Sequence, residues 1–335
     1  MLPILTPRLQ LRAMRLADGE TVAAYRSDPA VAHFQDWPMP YDSAGLLERL
    51  AAAEGLGPDL TAGTNLVIEV DGQLVGDVYV RLDGGVAEIG YTLRPEHRGR
   101  GYATEAAAAL VDHLIEDHGV HRITAGLDPE NVASMRILEA IGMRKEAVAR
   151  EAYLVRGKWV DDLRYSMLAA ERSEWVQRTR TVPGTVELVE ITPADAYLWG
   201  RLATHHSQER LVSPMALSFR DALFPEVVDG APVVPWLRGV LADGERAAFV
   251  MVAATTEVHT EPFLWRLLVD RMHQRRGIGK LALAALVRQL SAEGHRTLLT
   301  SWNEGIGSPR PFYEALGFVP TGRDVDGETE ARLSW

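Results

Sequence analysis

Apolar and polar residues alternate along short stretches of the first half of the chain, and turn residues separate these stretches. Alternation over 64–70 and again over 74–82, on either side of an Asp-Gly pair, predicts two strands joined by a tight turn. Further along, apolar residues recur at helical spacing, and a glycine follows each predicted helix. The other predicted elements are a strand at 84–93, a helix from about Tyr102 to Asp117, a strand at 121–127 and a short helix within 131–143.

The second half of the chain repeats this order of elements. Because 335 residues exceed the usual size of one hydrophobic core, a repeat at this interval indicates a duplicated or fused domain. Apolar periodicity is lost over 169–185, a stretch that reaches Pro183-Gly184. We therefore predict a domain at 1–175, a linker at 176–184 and a domain at 185–335. The repeated elements are strands at 246–255 and 262–270, a helix at 279–292, a strand at 295–302 and a short helix within 310–318.

The composition is typical of a globular protein, with 47% hydrophobic and 24% charged residues. The chain has no cysteine, which excludes disulfides, thiolate metal sites and a cysteine nucleophile. The first residues show no basic region and no long apolar run, and no stretch approaches the ~18 apolar residues of a membrane helix. We therefore expect a cytoplasmic protein without a signal peptide, a membrane span or a bound metal.

The formal net charge is −11, and acidic residues outnumber basic ones in both halves. Binding to a nucleic-acid backbone needs a concentrated basic face, so a nucleic-acid partner is disfavoured. An acidic surface favours cationic substrates such as amines. The alternative is that the acidity only keeps the protein in solution.

A glycine-containing motif occurs once in each half of the chain. It reads HRGRGYATEA from His97 and HQRRGIGKLA from His273, and the two histidines are 176 positions apart. Both copies share the spacing Arg/Gln-x-x-Gly-x-Ala/Gly, in which x is any residue. Small residues between a strand and a helix let the backbone approach a ligand, and the N–H groups at the helix start form a concavity for phosphate oxygens.

The predicted occupant of each loop is a pyrophosphate, because neither a Walker loop nor a dinucleotide fingerprint fits the spacing. The alternative is a glycine helix start without a ligand. His97 and His273 are paired by the repeat, but their place at the mouth of each loop favours a structural role. The predicted contacts, with arginines that add positive charge, are Arg98, Gly99, Arg100, Gly101, Tyr102 and Ala103 in the first loop and Gln274, Arg275, Arg276, Gly277, Ile278, Gly279 and Lys280 in the second.

Both halves resemble the GCN5-related N-acetyltransferase (GNAT) superfamily, whose coenzyme A pyrophosphate motif is Gln/Arg-x-x-Gly-x-Gly/Ala. The first half is similar to ribosomal-protein-alanine acetyltransferases in TPRLQLRAM, NVASMRILEAIGM and GKWVDDLRYSML. The second half is similar to bacterial spermine/spermidine acetyltransferases in HHSQERLVSPMALSFRDALFPE and PFYEALGFVPTG, although Trp302 and Asn303 replace the tyrosine-led turn usual there. The resemblance implies an α/β fold of two tandem domains, each with a mixed, mostly antiparallel sheet, splayed central strands and flanking helices. It also implies acetyl-CoA as the cofactor.

The resemblance assigns catalytic roles to a few positions. Tyr313 matches the tyrosine that serves as general acid in many members, while its counterpart in the first half, Leu138, cannot donate a proton. Ser134 matches the small polar donor of the ribosomal-protein type, and Asn131 matches a cofactor-contacting asparagine. The alternatives are that Tyr313 only packs in the core and that Asn131 to Ser134 form a helix cap.

Glu88 starts the strand before the first loop and resembles a carboxylate often used as general base; the alternative is a solvent-facing strand residue. Its positional equivalent in the second half is Leu264, so that half must use Glu261, a water relay or another group. The strand before each loop supplies an N–H group to the thioester carbonyl in this superfamily. Leu268 and Val269 end that strand in the second half and are predicted cofactor contacts.

The sequence therefore predicts an acyl-CoA-dependent N-acetyltransferase that acts by direct attack of a primary amine. The acceptor is a polyamine, an amino acid, an amine-bearing antibiotic or a peptide N-terminus. The second half is the first choice for the active site, and one silent and one active domain is an open alternative. A non-catalytic acyl-CoA-binding or sensor protein is the runner-up. An aminoacyl-tRNA-dependent transferase is opposed by the acidic charge.

Overall fold

The computed structural model describes residues 2–335, which divide into two compact units. The first unit ends at Gln177, and the second is Arg178–Trp335. Each unit has its own sheet and its own buried core. The predicted linker at 176–184 overlaps the last helix of the first unit, Ala169–Gln177, and its bounds stay a prediction. Within the described residues, no helix has both the length and the apolar character needed to cross a membrane.

The first unit is an eight-stranded sheet with helices against both faces. Its strands are β1 (Ile4–Leu5), β2 (Gln10–Ala13), β3 (Thr64–Val70), β4 (Gln73–Asp83), β5 (Val86–Leu93), β6 (Arg122–Leu127), β7 (Arg144–Val155) and β8 (Lys158–Leu168). Its helices are α1 (Gly19–Arg26), α2 (Pro29–Ala32), α3 (Ser43–Ala52), α4 (Tyr102–His118), α5 (Val132–Ala140) and α6 (Ala169–Gln177). The strand order is β1-β2-β3-β4-β5-β6-β8-β7, in which β5 and β6 are parallel and the other neighbours are antiparallel.

The second unit is built in the same way around a seven-stranded sheet. Its strands are β9 (Val186–Glu190), β10 (Val227–Val228), β11 (Ala231–Pro232), β12 (Val234–Ala242), β13 (Glu245–Ala254), β14 (Phe263–Val269), β15 (Thr297–Trp302), β16 (Val319–Val325) and β17 (Glu328–Ser334). Its helices are α7 (Ala196–Trp199), α8 (Met215–Leu223), α9 (Ile278–Ala292) and α10 (Arg310–Ala315). The sheet order is β16-β17-β15-β14-β13-β12-β9, β14 and β15 are parallel, and β10 and β11 form a separate hairpin.

The two long helices that follow the central strands begin at equivalent glycines. Gly101 precedes α4 with φ 80°, and Gly277 precedes α9 with φ 76°. This left-handed conformation is strained for residues with a Cβ, so glycine allows the chain to turn from the loop into the helix. The alanine-rich and leucine-rich faces of both helices pack into the two cores. The helix starts predicted at 102 and 279 agree with these bounds to within one residue.

The central parallel strands of each unit separate soon after they meet. In the first unit β5 and β6 pair only from Val86 to Glu88 on the β5 side. In the second unit β14 and β15 pair only at Phe263 and Leu264. Beyond these residues the facing edges of the strands have no strand partner, so a gap opens ahead of the glycine loop. The predicted fold class, a mixed sheet with splayed central strands and flanking helices in each half, is confirmed.

A β-bulge in β14 changes the positional equivalence that the sequence predicts for Glu88. Leu264 and Arg266 pair with consecutive residues of β13, so Trp265 between them is an extra residue. Counting back from the aligned glycine loops, this insertion moves the counterpart of Glu88 from Leu264 to Phe263. Leu264 is only 2% exposed and faces the core, whereas Glu88 lies on the opposite sheet face. The predicted equivalence of Glu88 and Leu264 is therefore wrong.

Candidate active site

The first glycine loop presents backbone N–H groups and exposed cationic side chains at the start of α4. The first N–H groups of a helix have no intrahelical partner, and the helix dipole adds partial positive charge there. Arg98, Gly99 and Arg100 are exposed ahead of the helix, Tyr102 is half-buried, and Ala103 is buried in the core. This arrangement fits an anionic ligand against the backbone of the loop.

Arg8 lies over this loop, a position that was not predicted from the sequence. Its Nη1 donates to the carbonyl oxygen of Arg100 at 3.0 Å, and its Nε donates to Oε2 of Glu105 at 2.6 Å. The guanidinium carbon is 5.2 Å from the centre of the Tyr102 ring, which is cation–π geometry. Arg8 lies in the segment TPRL near the start of the chain. Nothing in the sequence of this segment links it to a loop more than ninety residues away.

The second glycine loop has an open space beside the helix start. A Cβ placed on Gly277 would meet no atom within 4 Å, so the backbone there is accessible. A Cβ placed on Gly279 would instead lie 3.3 Å from Cζ of Phe312. The small residue at 279 therefore serves the packing of Phe312 against α9. Ile278 is buried, and Arg275 and Lys280 are exposed.

Two polar side chains of the second loop are already bound within the protein. Gln274 Nε2 donates to Oε1 of Gln208 at 2.8 Å and to the carbonyl oxygen of Val269 at 3.1 Å. Arg276 is 2% exposed, and its Nε donates to the carbonyl oxygen of Thr181 at 3.0 Å. The expectation that every arginine in the loop offers positive charge to a ligand is corrected for Arg276, whose guanidinium is turned inward.

His273 accepts a further contact of that buried arginine. Arg276 Nη1 lies 2.8 Å from Nδ1 of His273, so the ring nitrogen acts as the acceptor. Burial lowers the pKa of His273, Asp270 partly opposes this, and the neighbouring Arg276 lowers the pKa further. The neutral imidazole holds Arg276 in place. The structural role that the sequence predicts for His273 agrees with this contact.

The edge of β14 next to the second loop offers backbone groups to a ligand. Leu268 is buried and Val269 partly buried, and both pair with β13 on one side only. On the side of β15 these residues have no strand partner, because the pairing ends at Leu264. Any contact of Leu268 with a cofactor is therefore made through its backbone, since its side chain belongs to the core.

Tyr313 brings a phenol to the core side of the gap in the second unit. The side chain is 8% exposed, and its ring stacks on Trp302 with centroids 5.8 Å apart. Burial raises the pKa of Tyr313 to about 12, and a hydrogen bond with Thr300 partly opposes the shift. Thr300 Oγ1 also donates to the carbonyl oxygen of Leu264 at 3.1 Å, across the last pair of β14 and β15. At neutral pH the phenol keeps its proton and can donate it.

Ser134 and Asn131 lie at the start of α5 in the first unit. Asn131 is the N-cap of this helix, and its Oδ1 accepts a hydrogen bond from the Ser134 N–H at 3.1 Å. The capping role weighed for this segment is therefore present. The Ser134 Oγ is 2.8 Å from the hydroxyl of Tyr91, which was not among the predicted site residues. Burial raises the pKa of Tyr91, so its hydroxyl is also protonated at neutral pH.

The carboxylates expected to act as bases are both paired with arginine. Glu88 is 43% exposed, and its Oε2 is 3.0 Å from Nη2 of Arg81. Glu261 Oε2 accepts from Nη2 of Arg332 at 2.6 Å. Burial would raise the pKa of Glu261, but hydrogen bonds with Thr297 and Arg332 hold it below its ordinary value. A lowered pKa makes Glu261 a weak proton acceptor.

Comparison with known protein families identifies the family to which a chain with these two glycine loops belongs. An acetyltransferase (GNAT) domain model matches residues 8–144, and an acetyltransferase (GNAT) family model matches residues 199–318. The chain belongs to the GNAT family. Each half carries one GNAT domain, and the resemblance stated from the sequence is confirmed. GNAT acetyltransferases use acetyl-CoA, so the chain is an N-acetyltransferase with acetyl-CoA as its cofactor.

Individual proteins are similar to parts of this chain. The uncharacterized N-acetyltransferase p20 of Bacillus licheniformis is 28% identical over 170 residues, which cover 50% of this chain and 96% of the relative. The ribosomal protein uS5-alanine N-acetyltransferase of Escherichia coli is 32% identical over 73 residues, which cover 22% of this chain and 38% of the relative. The solved structure of Mycobacterium smegmatis RimJ in complex with CoA-disulfide is 28% identical, has a TM-score of 0.42 and covers 49% of this chain and 83% of that chain.

Both GNAT domains fit the pyrophosphate of coenzyme A at their glycine loops. Each loop combines a left-handed glycine, the unpartnered N–H groups of a helix longer than four turns, and exposed cationic side chains. Arg8 adds a cation in the first GNAT domain, and the open space beside Gly277 leaves the backbone accessible in the second.

Proposed function

We propose that this GNAT protein transfers the acetyl group of acetyl-CoA to a primary amine of a small molecule or a peptide N-terminus. The observation that supports it best is the placement of the Tyr313 phenol where β14 and β15 separate, in the domain that carries the full glycine motif. The printed names of relatives include acetyltransferases of ribosomal-protein alanine and of spermidine, which are both amine acceptors. The acidic surface of the chain suits a cationic acceptor.

Acetyl transfer to an amine requires two proton transfers. The attacking amine must lose a proton, and the leaving sulfur must gain one. A primary amine with a pKa near 10.4 is only about 0.04% neutral at pH 7, a handicap of about 4.6 kcal/mol. In the first GNAT domain Glu88 is the proposed acceptor of that proton. In the second domain Tyr313 is the proposed donor to the leaving sulfur, because burial keeps the phenol protonated.

Backbone groups hold and polarise the reacting molecule in this proposal. Bound acetyl-CoA would supply the thioester. The loop N–H groups after Gly101 and Gly277 would hold the pyrophosphate, and the unpaired edge of β14 at Leu268 and Val269 would hold the acyl arm. The cofactor contacts predicted from the sequence are retained as part of the proposal, with Arg276 contributing its backbone only.

The two GNAT domains differ in what they offer for chemistry. The second domain has a protonated phenol and is our first choice for turnover. The first domain has Leu138 at the corresponding helix position, 1% exposed, but it brings Tyr91 to Ser134 from the strand instead. We propose the first domain as a second active site or a retained cofactor-binding scaffold. The scaffold alternative is supported by the ion pair with Arg81, because it occupies the Glu88 carboxylate that would otherwise accept a proton.

An acceptor screen that follows free thiol released from acetyl-CoA tests the proposal. The chain has no cysteine, so the protein itself adds no thiol background. We expect amine-dependent thiol release with at least one polyamine, amino acid, aminoglycoside or alanine-terminated peptide. Tight coenzyme A binding without release of thiol in any amine reaction would instead support the non-catalytic sensor.

A further inference from the structure

The segment 6–8, between β1 and β2, is attached to the start of α4 through one carboxylate. Glu105, in the first turn of α4, accepts from Oγ1 of Thr6 at 2.6 Å and from the backbone N–H of Arg8 at 3.1 Å. Nε of Arg8 donates to Oε2 of Glu105 at 2.6 Å, and Nη2 lies 2.6 Å from the same oxygen. Burial would raise the pKa of Glu105, but the hydrogen bonds from Thr6 and Arg8 lower it. The carboxylate is therefore ionised at neutral pH and holds the segment against the helix.

The place of Glu105 is unexpected for a helix start that binds a phosphate. A negative charge in the first turn is favourable for the helix itself, but it repels the oxygens of a phosphate bound there. The second GNAT domain has Leu281 at the corresponding position, 176 residues further along. The repulsion in the first domain is offset because the same carboxylate brings the cation of Arg8 to the loop.

The guanidinium of Arg8 retains N–H groups that can bind a ligand. Of its five N–H groups, Glu105 engages those of Nε and Nη2, and the carbonyl oxygen of Arg100 accepts one from Nη1 at 3.0 Å. Within residues 2–335, at least one N–H on each of Nη1 and Nη2 has no partner. These two nitrogens form the fork that binds phosphate oxygens in pairs. The side chain is 51% exposed, so the fork is accessible.

The guanidinium also lies beside the backbone that would hold the phosphate. A Cβ placed on Gly101 would be 3.3 Å from Nη2 of Arg8. Gly101 directly precedes the first N–H groups of α4, which have no intrahelical partner. The Tyr102 ring, with its centre 5.2 Å from the guanidinium carbon, keeps the cation on this side of the loop. An anion bound to these N–H groups would therefore meet the guanidinium as well.

The second GNAT domain makes the corresponding contact with the opposite polarity. The segment before β9 also approaches its glycine loop, but there the carbonyl oxygen of Thr181 accepts from Nε of Arg276 at 3.0 Å. Arg276 is the residue that aligns with Arg100, and it is 2% exposed. In the first domain the segment brings a cation to the loop, whereas in the second the loop gives its arginine to the segment. A Cβ placed on Gly277 would meet no atom within 4 Å, so no described residue takes the place of Arg8.

We propose that the segment 6–8 is a latch over the first cofactor site, in which the unpartnered N–H groups of Arg8 bind phosphate oxygens of coenzyme A. Glu105 and Thr6 are positioning residues, because they hold the latch against α4. The second site has no latch, so the two GNAT domains bind the same cofactor with a different dependence on ionic strength. This inference rests on the proposed placement of the pyrophosphate at the glycine loops and not on the choice of amine acceptor.

Calorimetry of the full chain with coenzyme A, without any amine, tests the latch. Arg8→Gln keeps a hydrogen-bonding side chain and removes the charge. At about 50 mM salt one of the two coenzyme A sites should weaken at least about tenfold, because hydrogen bonds between charged groups are the strong ones. The other site should keep its Kd. Arg8→Lys keeps the charge without the fork and should restore part of the affinity.

Ionic strength distinguishes an electrostatic contact from a merely structural one. The difference between the unmodified protein and Arg8→Gln should shrink as the salt is raised from about 50 to about 300 mM, because exposed charges are screened. A loss caused only by a disturbed loop would persist at both concentrations. Arg49→Gln is the matched control, since Arg49 is an exposed arginine on α3, which packs on the sheet face opposite to α4. It should leave both Kd values unchanged.

A second measurement uses the unmodified protein, in case Arg8→Gln does not fold. The hydrogen bond to Glu105 protects the Nε–H group of Arg8 from exchange, so its NMR signal can be followed, and its absence in Arg8→Lys assigns it. Titration with inorganic pyrophosphate should shift this signal with saturation. No shift, equal Kd values in Arg8→Gln and the unmodified protein, or a loss of affinity that does not depend on salt would overturn the latch.

The outcome is separable from that of the proposed function. If Arg8→Gln weakens coenzyme A binding but no amine is ever acetylated, the latch stands and the acetyl transfer fails. If Gly101→Val removes a coenzyme A site while Arg8→Gln changes no Kd, the placement of the pyrophosphate stands and the latch is refuted.

Discussion

Tyr313 and Trp302 stack with their ring planes 10° apart, and this contact fixes the phenol beside the last paired residues of β14 and β15. Phe312 and Phe318 pack edge-on against the same tyrosine, so the ring has little freedom to move. The packing role and the donor role that the sequence leaves open for Tyr313 are therefore compatible. A variant that keeps the ring but lacks the hydroxyl distinguishes the packing role from the donor role.

Tyr313→Phe deletes the hydroxyl and keeps the stacked ring. If protonation of the leaving sulfur by this phenol matters, turnover with the best amine should fall by about 10²–10⁴-fold. Ser134→Ala is the matched change in the first GNAT domain, where it removes the hydroxyl beside Tyr91. We expect the smaller effect from Ser134→Ala, and coenzyme A binding that survives both changes, in steady-state and calorimetric measurements.

The reverse ranking would contradict the choice of active domain. A large loss from Ser134→Ala with a nearly silent Tyr313→Phe assigns turnover to the first domain. In that case Glu88 becomes the leading base, and an α-amine of a peptide becomes the better acceptor.

Coenzyme A should bind once at each glycine loop, and calorimetry should count two sites in the unmodified protein. Gly101→Val and Gly277→Val should each remove one site, because a branched side chain is strained at φ 80° and 76° and occupies the approach to the backbone. Gly119→Val is the matched control, since this glycine has φ 64° at the other end of α4, with open space beside it. Two sites in both loop variants would refute the assignment.

The stability of the second domain should fall as the pH drops through the range in which histidine titrates. Burial holds the pKa of His273 below its ordinary value of 6.5, so the unfolded chain takes up a proton at a higher pH than the folded one. The unfolding free energy therefore decreases as the pH falls below about 6.5.

His273→Asn tests this account of the histidine. Asparagine keeps an acceptor for Arg276 but does not titrate, so scanning calorimetry of the full chain should show a smaller loss of transition temperature between about pH 7.5 and 5.5. Equal losses in the variant and the unmodified protein would show that another group carries the pH dependence.

The central part of each domain follows from the sequence because its signals are local. The helix predicted from about Tyr102 to Asp117 spans Tyr102–His118, since helical periodicity and the stop at Gly119 lie within one stretch. The second helix, predicted at 279–292, spans Ile278–Ala292 for the same reason. The strands β7 and β8 were missed. Every residue of β7 is exposed or half-buried, so its sequence lacks the alternation that marks a strand. In β8 the buried Leu163, Tyr165 and Met167 do alternate with more exposed residues, so a signal was present there.

The details of the site depend on contacts that are distant in the sequence. A single extra residue at Trp265 moves the counterpart of Glu88, and only strand pairing reveals it. The inward turn of Arg276 depends on the carbonyl of Thr181, 95 residues away.

The central claim, acetyl transfer to an amine, is tested most directly by a probe that carries both an amine and a hydroxyl. A longer amino alcohol, 6-amino-1-hexanol, is incubated with acetyl-CoA and the full chain, and mass spectrometry identifies the acetylated atom. Its hydroxyl is too far from the amine for an acetyl group to migrate from one to the other. The account predicts an amide product, formed at a rate that rises with pH from about 7 as the amine and the base lose their protons, and then levels off. Because the pKa of Tyr313 is raised to about 12, its ionisation should cause no fall in rate below about pH 10. An ester product without any amide would contradict the account.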